Sequence, residues 1–173
     1  WYRASFPSMD EFSIYPGTYT YKYPKAGEAN SKVSVHVFNV NNRTTKTMYT
    51  GGDGDYYLPR IRWTNQPGQL GIVKLNRHQS QLDLLSVNSA STVSKTMLTV
   101  RNSSYVGEDV LDNIVFLPDG KNFIYVGEED GYNHIHLYGM NGIKVRQLTK
   151  GNWDVTGFLG YDAKTSQIYY SAA

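Results

Sequence analysis

Two stretches of the chain contain the same order of strands and turns, and this repeat constrains the fold more than any other feature. Tyr56 to Arg101 contains four segments of predicted strand, several with alternating apolar and polar side chains, separated by polar turns. Asn113 to Thr149 repeats that order, with turns at Pro118–Gly120, Glu129–Gly131 and Asn141–Gly142. Each stretch is therefore predicted to form a four-stranded antiparallel sheet.

The spacing between the two stretches indicates the architecture. Trp63 corresponds to Phe116, and Leu98-Thr99 corresponds to Leu148-Thr149, which gives a period of about 50 residues. Units of this length with four strands each are typical of the blades of a β-propeller. Because one such sheet cannot bury both of its faces alone, we expect the units to pack against each other.

Parts of further units are predicted at both ends of the chain. The predicted units are residues 1–50 (the end of one blade, with an extended arm at 12–32), 56–101 (a complete blade), 113–150 (a complete blade) and 153–173 (the start of the next). Trp1 to Ser5 is interpreted as the end of a strand whose partners precede it, and Lys32 to Asn39 and Lys46 to Thr50 as paired strands. The predicted fold class is all-β, a partial β-propeller of about three four-stranded antiparallel blades.

Composition agrees with an all-β chain and excludes some functions. The chain has 15 Tyr and 16 Gly, residue types that suit pleated surfaces and tight turns. Its formal charge of +2 includes no basic run, so no nucleic-acid partner is expected. No stretch has the roughly 20 apolar residues of a membrane helix. No signal peptide is recognisable, although a chain that opens on Trp1 leaves a removed leader open. The absence of Cys excludes disulfides and leaves the compartment open.

The segment from Phe6 to Asn30 is interrupted by Pro and Gly and carries alternating tyrosines. Such a segment is able to form a two-stranded arm, in which Pro is tolerated because one side lacks a partner strand. It is equally consistent with an aromatic loop packed on its own domain. The residues alone favour neither interpretation.

Two groups of side chains are candidates for chemistry. Glu128 to Gly131 is an acidic stretch, and adjacent carboxylates can bind a cation or an ammonium group, but its position between two strands favours a solvated hairpin turn. His134 and His136 lie two apart on one strand and point to the same face, as a pair of metal ligands would. Without Cys or a third ligand in register, no metal site and no cofactor are predicted.

Other short patterns carry less weight. Asp53 and Asp55 lie in a Gly-rich connector that lacks the later oxygens of a calcium loop, so a flexible link is expected. Asn42–Thr44 and Asn102–Ser104 match the glycosylation acceptor pattern, which often arises by chance. The G-x-S-x-G turn of serine hydrolases does not occur. No catalytic residue is therefore predicted in this chain.

Five stretches of the sequence resemble the propeller of the dipeptidyl peptidase IV family. They are Tyr23 to Val35, Tyr57 to Thr64, Leu75 to Gln79, Asp130 to Ile135 and Gln147 to Thr156. The similarity extends from about Tyr15 to the C-terminus and crosses a predicted blade boundary. It is therefore more specific than a general likeness to propeller sequences.

The resemblance implies a longer parent chain, in which an eight-bladed propeller caps an α/β-hydrolase domain. Members release N-terminal dipeptides with Pro or Ala in second place, and their Ser, Asp and His triad follows the propeller. The family's paired glutamates, which hold the substrate's ammonium group, lie upstream in a Tyr-Glu-Glu context, so that role is not carried over to Glu128 or Glu129. The loop aligned with substrate-contacting side chains of relatives is Tyr105 to Val110, with acids where a basic residue is expected. Substrate-binding residues therefore stay unassigned.

The resemblance also implies partners and a compartment. The family's dimer-forming arm aligns with Tyr15 to Lys32, which favours an interface over a packed loop. The candidate arm residues are Tyr15, Tyr19, Tyr21, Tyr23, Pro24 and Lys25. The expected partners are a peptide substrate, in the full-length enzyme, and a second copy of the chain. A chain without Cys points to a bacterial member, and relatives imply the periplasm or the cell surface. The alternative is a free-standing β-propeller that binds proteins or glycans without a hydrolase domain.

Overall fold

The computed structural model of the chain describes residues 2–8, 12–23, 26–52 and 54–173. The chain divides into two compact units, Trp1–Lys32 and Val33–Ala173, and each is described by itself. Among the described residues no helix is long and apolar enough to cross a membrane. The structure is built almost entirely from antiparallel strands.

The first unit is a β-hairpin with an aromatic face. Strand β1 (Tyr2–Ser8) pairs with β2 (Gly17–Tyr23), so one partner of this strand follows it in the chain, contrary to the expectation that its partners precede it. Alternate side chains of a strand share one face, and this places Tyr19, Tyr21 and Tyr23 on the face that carries Phe6, which pairs with Tyr19. The Phe6 ring stacks on Tyr21 with centroids 4.8 Å apart. Aromatic contacts of this kind, which contribute about 0.5–1.5 kcal/mol each, explain the choice of partner.

The second unit consists of hairpins and four-stranded sheets in chain order. A hairpin is formed by β3 (His36–Asn39) and β4 (Thr44–Thr47). The first sheet contains β5 (Tyr56–Trp63), β6 (Gln69–Asn76), β7 (Gln81–Asn88) and β8 (Ser94–Arg101). A short helix, α1 (Glu108–Asp112), precedes the second sheet, which contains β9 (Ile114–Phe116), β10 (Asn122–Glu128), β11 (Asn133–Gly139) and β12 (Lys144–Gln147). A last hairpin is formed by β13 (Val155–Asp162) and β14 (Gln167–Ala172).

Both four-stranded sheets follow the sequential order that the repeat predicts, β5-β6-β7-β8 and β12-β11-β10-β9. Each sheet is a meander of neighbouring antiparallel strands. The sheets and hairpins of this unit stack face to face in chain order. Separate apolar clusters lie on the two sides of each four-stranded sheet. The chain is therefore all-β and forms part of a β-propeller, which confirms the predicted fold class.

Three apolar clusters hold this stack together. Leu70 and Ile72 of β6 pack toward the β3–β4 hairpin, whereas Val73 and Leu75 of the same strand pack toward the second sheet. Strand β10 follows the same rule. Its Phe123 and Tyr125 face the first sheet, and its Ile124 and Val126 face the β13–β14 hairpin. Both faces of each central strand are therefore buried, which explains the nearly continuous apolar runs of β6 and β10.

The β3–β4 hairpin differs from the prediction in its bounds. Strand β3 begins at His36 rather than Lys32, and β4 covers Thr44–Thr47 rather than Lys46 to Thr50. Past the hairpin, the backbone contact continues with a hydrogen bond in which Met48 N–H donates to the Val35 carbonyl over 2.8 Å. Val33 is 39% exposed, so burial does not hold that part of the chain against a partner.

Gly71 and Phe116 form a close contact between the two four-stranded sheets. A Cβ atom on Gly71 would lie 2.6 Å from the Phe116 ring, so this glycine makes room for the ring at the contact between blades. The Asn65 amide adds hydrogen bonds of 3.1 Å and 2.9 Å to the carbonyls of Phe116 and Leu117. The end of β5 is thereby attached to the strand that begins the next sheet.

We predict that Gly71→Ala destabilises the chain, because the added methyl group displaces the Phe116 ring. The expected loss in free energy of unfolding is about 1–3 kcal/mol, measured by urea denaturation. Gly160→Ala is the control, since no heavy atom beyond its chain neighbours lies within 4 Å of its added Cβ, and we expect a change within about 0.5 kcal/mol. The double variant with Phe116→Leu should recover part of the loss. Equal effects at Gly71 and Gly160 would contradict the tight contact.

Candidate functional site

A cleft of about 630 Å³ opens at the end of the sheets where β8 and β10 finish. One wall is the connection from β8 to α1, which includes the exposed ring of Tyr105. The other wall is the turn between β10 and β11, with Glu128 and Asn133, together with Asp154 before β13. A concave site of this volume, bordered by aromatic and polar groups, is suited to binding a ligand of peptide size.

An exposed ion pair links β5 to the end of helix α1, just after the first wall. The Arg60 guanidinium donates to both carboxylate oxygens of Asp112, over 2.7 Å and 2.9 Å, and Arg62 donates to the same carboxylate over 3.1 Å. The hydrogen bond from Arg60 is the main reason why the pKa of Asp112 lies below its ordinary value. Arg62 also donates to the Ile114 carbonyl over 3.1 Å. The C-terminal end of the segment between β8 and β9 is therefore attached to β5.

The second wall is fixed by the acids of the turn. The acidic stretch lies at an exposed hairpin, as predicted, with Glu128 as the last residue of β10 and residues 129–131 in the turn, but two of its carboxylates have partners. Glu129 accepts a hydrogen bond of 2.8 Å from the Tyr138 hydroxyl and pairs with the Lys144 ammonium group. Asp130 accepts a hydrogen bond of 3.0 Å from the Gln147 amide, which lowers the pKa of Asp130.

The third acid of the turn differs from its neighbours. In the part of the chain that the structure describes, Glu128 makes no hydrogen bond or ion pair through its side chain, and it borders the cleft. Glu129 and Asp130 therefore hold the turn in place, while the Glu128 carboxylate faces solvent. The cleft then presents an exposed carboxylate opposite an exposed tyrosine.

A β-bulge brings the partners of Glu129 together. Leu137 pairs with Arg146, but Tyr138 pairs with Lys144, so Val145 is passed over and left 55% exposed. Residues directly opposite on an antiparallel pair lie on one face, which places the Tyr138 hydroxyl and the Lys144 ammonium group beside the same carboxylate. The sequence contains no signal that marks this bulge.

The pKa values of Glu129 and Tyr138 are shifted in opposite directions. Partial burial would raise the pKa of Glu129, but hydrogen bonds from Lys144 and Tyr138 outweigh it, so this pKa lies below the ordinary value. Burial raises the pKa of Tyr138, and donation to Glu129 adds to the rise. Glu129 is therefore ionised and Tyr138 is neutral at neutral pH, which is the state in which their hydrogen bond is strongest.

The two histidines of β11 are buried and bonded within the protein. The ring nitrogens of His134 lie 3.1 Å from the Thr149 hydroxyl and 3.0 Å from the Gly151 carbonyl, and the ring meets Trp153 edge-on. In His136, Nε2 lies 3.2 Å from the Gly127 carbonyl. Within residues 2–8, 12–23, 26–52 and 54–173, no group of three or more His, Cys, Asp or Glu side chains is arranged to hold a metal ion.

Ser34 and His36 form a contact that the sequence reasoning missed. The Ser34 hydroxyl lies 2.9 Å from Nε2 of His36, the relation of a nucleophile to its base. The other ring nitrogen lies 3.1 Å from the Thr47 hydroxyl, so the third position holds a neutral group instead of a carboxylate. All three side chains are exposed. A hydrolase triad needs a carboxylate and donors for the oxyanion, so this contact is not a triad.

Among the remaining sequence candidates, Asn102 lines the cleft, and others lie outside the described residues. Asp55 accepts a hydrogen bond of 3.2 Å from Arg77, and Asp53 lies outside the described residues. The side-chain oxygens of Asn42 and Asn102 accept hydrogen bonds from backbone amides two residues on. Of the arm candidates, Pro24 and Lys25 are also outside the described residues. Tyr15, Tyr19, Tyr21 and Tyr23 are exposed on the hairpin unit.

The inter-sheet ion pair was missed by sequence reasoning, although a signal for it exists. Arg60 and Asp112 are separated by 52 residues, close to one repeat of about 50 residues. Residues one period apart occupy neighbouring blades, so opposite charges at that spacing are candidates for contact. Tyr138 and Lys144 offer no comparable signal, because their meeting depends on the bulge.

Comparison with known proteins places this architecture in a family. Residues 3–173 match the model of the dipeptidyl peptidase IV (DPP IV) N-terminal region. The chain belongs to this family. Its stacked sheets are thus a propeller portion of the kind found in dipeptidyl peptidases, in agreement with the resemblance seen in the sequence.

Solved and curated relatives agree with the family. The chain is similar to the crystal structure of Porphyromonas gingivalis dipeptidyl peptidase 4, with a TM-score of 0.86 and 42% identity over 99% of this chain and 24% of that one. It is 30% identical to dipeptidyl peptidase 4 of Felis catus, over 93% of this chain and 23% of that protein. It is 28% identical to inactive dipeptidyl peptidase 10 of Rattus norvegicus, over 91% and 21%.

The match covers only part of each relative. The chain spans less than a quarter of the length of these three proteins. One of them is named as inactive, so membership of the family does not by itself imply hydrolysis. What the chain shares with all three is the propeller portion.

We predict that Tyr138→Phe weakens the second wall of the cleft, because Glu129 loses a hydroxyl donor. The expected loss is about 1–2 kcal/mol in the free energy of unfolding near neutral pH, measured by urea denaturation. Tyr169→Phe is the matched control, since its hydroxyl donates to Gln167 on a ring that is 53% exposed. For that variant we expect a change within about 0.5 kcal/mol. Similar losses in both variants would mean that the hydrogen bond to Glu129 contributes no more to stability than the exposed bond to Gln167.

Proposed function

We propose that this chain is the non-catalytic propeller portion of a serine-type dipeptidyl peptidase that releases N-terminal dipeptides with Pro or Ala second. The observation that carries this proposal is the likeness to Porphyromonas gingivalis dipeptidyl peptidase 4, at 42% identity over 99% of the chain. The proposed role is to orient the peptide substrate, and to limit its access, for a catalytic triad that lies elsewhere on the parent protein. Residues 1–50, 56–101, 113–150 and 153–173 are proposed as parts of four successive blades of an eight-bladed ring.

The cleft between the β8–α1 connection and the β10–β11 turn supports the substrate role. Contacts of Asp112 and Glu129 with neighbouring strands support an ordered arrangement of its two walls. Tyr105 and Glu128 are exposed at its border and able to contact a peptide. A site whose walls are fixed in advance loses less entropy when it binds.

The hairpin unit supports a second part of the proposal, the formation of a homodimer. Its face carries Phe6, Tyr19, Tyr21 and Tyr23 in mutual ring contact, with the three tyrosines 42–52% exposed. Tyrosine is enriched at protein interfaces, because it offers large apolar area with a hydrogen-bonding end. An ordered aromatic face of this kind is suited to meet a second copy of itself in a symmetric contact.

We place the parent protein in the periplasm or at the cell surface. The support for this is the resemblance to the family. Cell fractionation with an antibody against the chain tests it. Signal confined to the cytoplasmic fraction would count against export.

The competing function is a free-standing propeller that binds proteins or glycans. The rat relative that is named as inactive supports this alternative. The full-length reading frame separates the two. Under our proposal it contains G-x-S-x-G downstream of Ala173 and Tyr-Glu-Glu upstream of Trp1. A frame without either motif would support the binding module.

We predict that the 173-residue chain does not hydrolyse a Gly-Pro-chromophore substrate, whereas the full-length gene product does. Hydrolysis requires a nucleophile, a base and oxyanion donors together, and the proposal assigns all of them to other parts of the parent. Release of the chromophore is measured for both proteins against a buffer blank. Turnover by the pure 173-residue chain would refute the assignment, and an inactive full-length protein would refute the peptidase.

We predict that the chain self-associates through the aromatic face of the hairpin unit. Tyr21→Ser should raise the dissociation constant at least tenfold, because it removes the ring that stacks on both Phe6 and Tyr19. Light scattering over a range of concentrations gives the mass. Tyr49→Ser removes another exposed tyrosine and serves as the control. A monomeric mass at every concentration, or equal effects of the two substitutions, would contradict the proposed interface.

A further inference from the structure

The side chain of Arg101, at the end of β8, is oriented by a row of side-chain hydrogen bonds across β7 and β8. Its Nε donates to Oε1 of Gln81 over 3.1 Å, and Nε2 of Gln81 donates to Oδ2 of Asp83 over 2.9 Å. The other oxygen of Asp83 accepts a hydrogen bond of 2.6 Å from the Thr99 hydroxyl. The strand register explains this row, because Gln81 lies opposite Arg101 and Asp83 lies opposite Thr99.

The same guanidinium borders the cleft and has donors left for a ligand. Arg101 is exposed and lines the cleft on the side of the β8–α1 connection. Its bond to Gln81 uses only Nε, and within the described residues its two terminal nitrogens have no acceptor and no ion-pair partner. The planar end of a guanidinium matches the two oxygens of a carboxylate. The first wall therefore presents an unused pair of N–H donors on an oriented side chain.

Asn102 places a further donor at the same wall. Its Oδ1 accepts a hydrogen bond of 2.9 Å from the Ser104 backbone N–H, so its amide nitrogen is the group left for a ligand. Its own backbone N–H donates to the Ser80 carbonyl over 3.0 Å, which attaches this end of β8 to the β6–β7 turn. Asn102 also lines the cleft. Two successive residues thus offer donors to an anionic group.

The second wall carries the opposite charge. Glu128 and Asp154 both line the cleft. Asp154 accepts a hydrogen bond of 2.6 Å from the Asn133 backbone N–H, and Asn133 lies opposite Glu128 in the pairing of β10 with β11. These carboxylates repel a simple anion, whereas a ligand with a carboxylate at one end and a cationic group at the other is attracted in a single direction.

We propose that the cleft binds a peptide that carries a carboxylate and a cationic group at opposite ends. Arg101 and Asn102 bind the carboxylate, and Glu128 and Asp154 face the cationic group. The proposal rests on the proposed substrate role of the cleft, and it adds the charges and the direction of the bound peptide. Gln81 is a positioning residue, because it acts on the ligand through Arg101. The carboxylate belongs either to an acidic side chain or to the C-terminus of the peptide.

Titration of the chain with three peptides, followed by NMR, tests the proposal and separates the two sources. Acetyl-Lys-Ala-Ala-Glu-amide has a side-chain carboxylate, acetyl-Lys-Ala-Ala-Gln has only a terminal one, and acetyl-Lys-Ala-Ala-Gln-amide has none. At least one of the first two peptides should bind about fivefold more tightly than the third. The peptide that gains this affinity identifies the source of the carboxylate.

Variants of the chain show which side chains read each end of the peptide. In Arg101→Gln the dissociation constants of the three peptides should agree within about twofold. Arg146→Gln is the control, because it removes an exposed arginine of β12 that is not among the residues lining the cleft. Replacement of the peptide's Lys by norleucine should weaken binding to the unmodified chain, and this loss should be smaller in Glu128→Gln.

The outcomes separate this proposal from the substrate role of the cleft. Equal dissociation constants for the three peptides, or a preference for the carboxylate that persists in Arg101→Gln, would overturn the proposal and leave the substrate role in place. Absence of binding by every peptide would overturn both. If Arg101→Gln does not fold, the comparison of the three peptides on the unmodified chain still decides, because it needs no variant.

Discussion

The central strands of the two four-stranded sheets bury side chains on both faces, and the rest of the structure depends on this. In β6, Ile72 and Val73 are neighbours in sequence yet belong to different apolar clusters. In β10, the same is true of Ile124 and Tyr125. A sheet with such strands cannot leave either face to water, so it needs another layer on each side. Stacking in chain order satisfies this need, and it confines polar loops to the ends of the sheets. The cleft lies at one of these ends for that reason.

The sequence predicts those parts of the fold that depend on local rules. Alternation of side chains and turn residues such as Pro118–Gly120 predict the strands and their order, because both act over a few residues. The partner of β1 was not predictable in this way. Alternation of side chains predicts which face of a strand is apolar, but not which strand pairs with it. The pairing of β1 with β2 is stabilised by the ring contacts of Phe6 with Tyr19 and Tyr21. The bounds of β3 were overestimated because alternation continues through Val33, where the ladder does not.

The candidate site was less predictable than the fold, because its contacts join distant positions. The Glu128–Gly131 turn was found from sequence, but not the neutralisation of Glu129 by Lys144, which requires the bulge after Leu137. A bulge depends on the local twist of two paired strands, and no residue type in this sequence predicts it. The ion pair of Arg60 and Asp112 is different. Its two residues are about one repeat apart, so the sequence carries a signal for this contact between neighbouring units.

Family membership explains the scaffold, and the side chains decide what the scaffold does. Asp112 and Glu129 are held by cations, so changing them alters the walls of the cleft as well as its charge. Tyr105 and Glu128 have no side-chain hydrogen bond to any described residue, and both border the cleft. Their loss would therefore leave the fold intact, because surface groups without partners contribute little to stability. Substitution of these two side chains therefore tests a binding role for the cleft separately from the structural role of their neighbours.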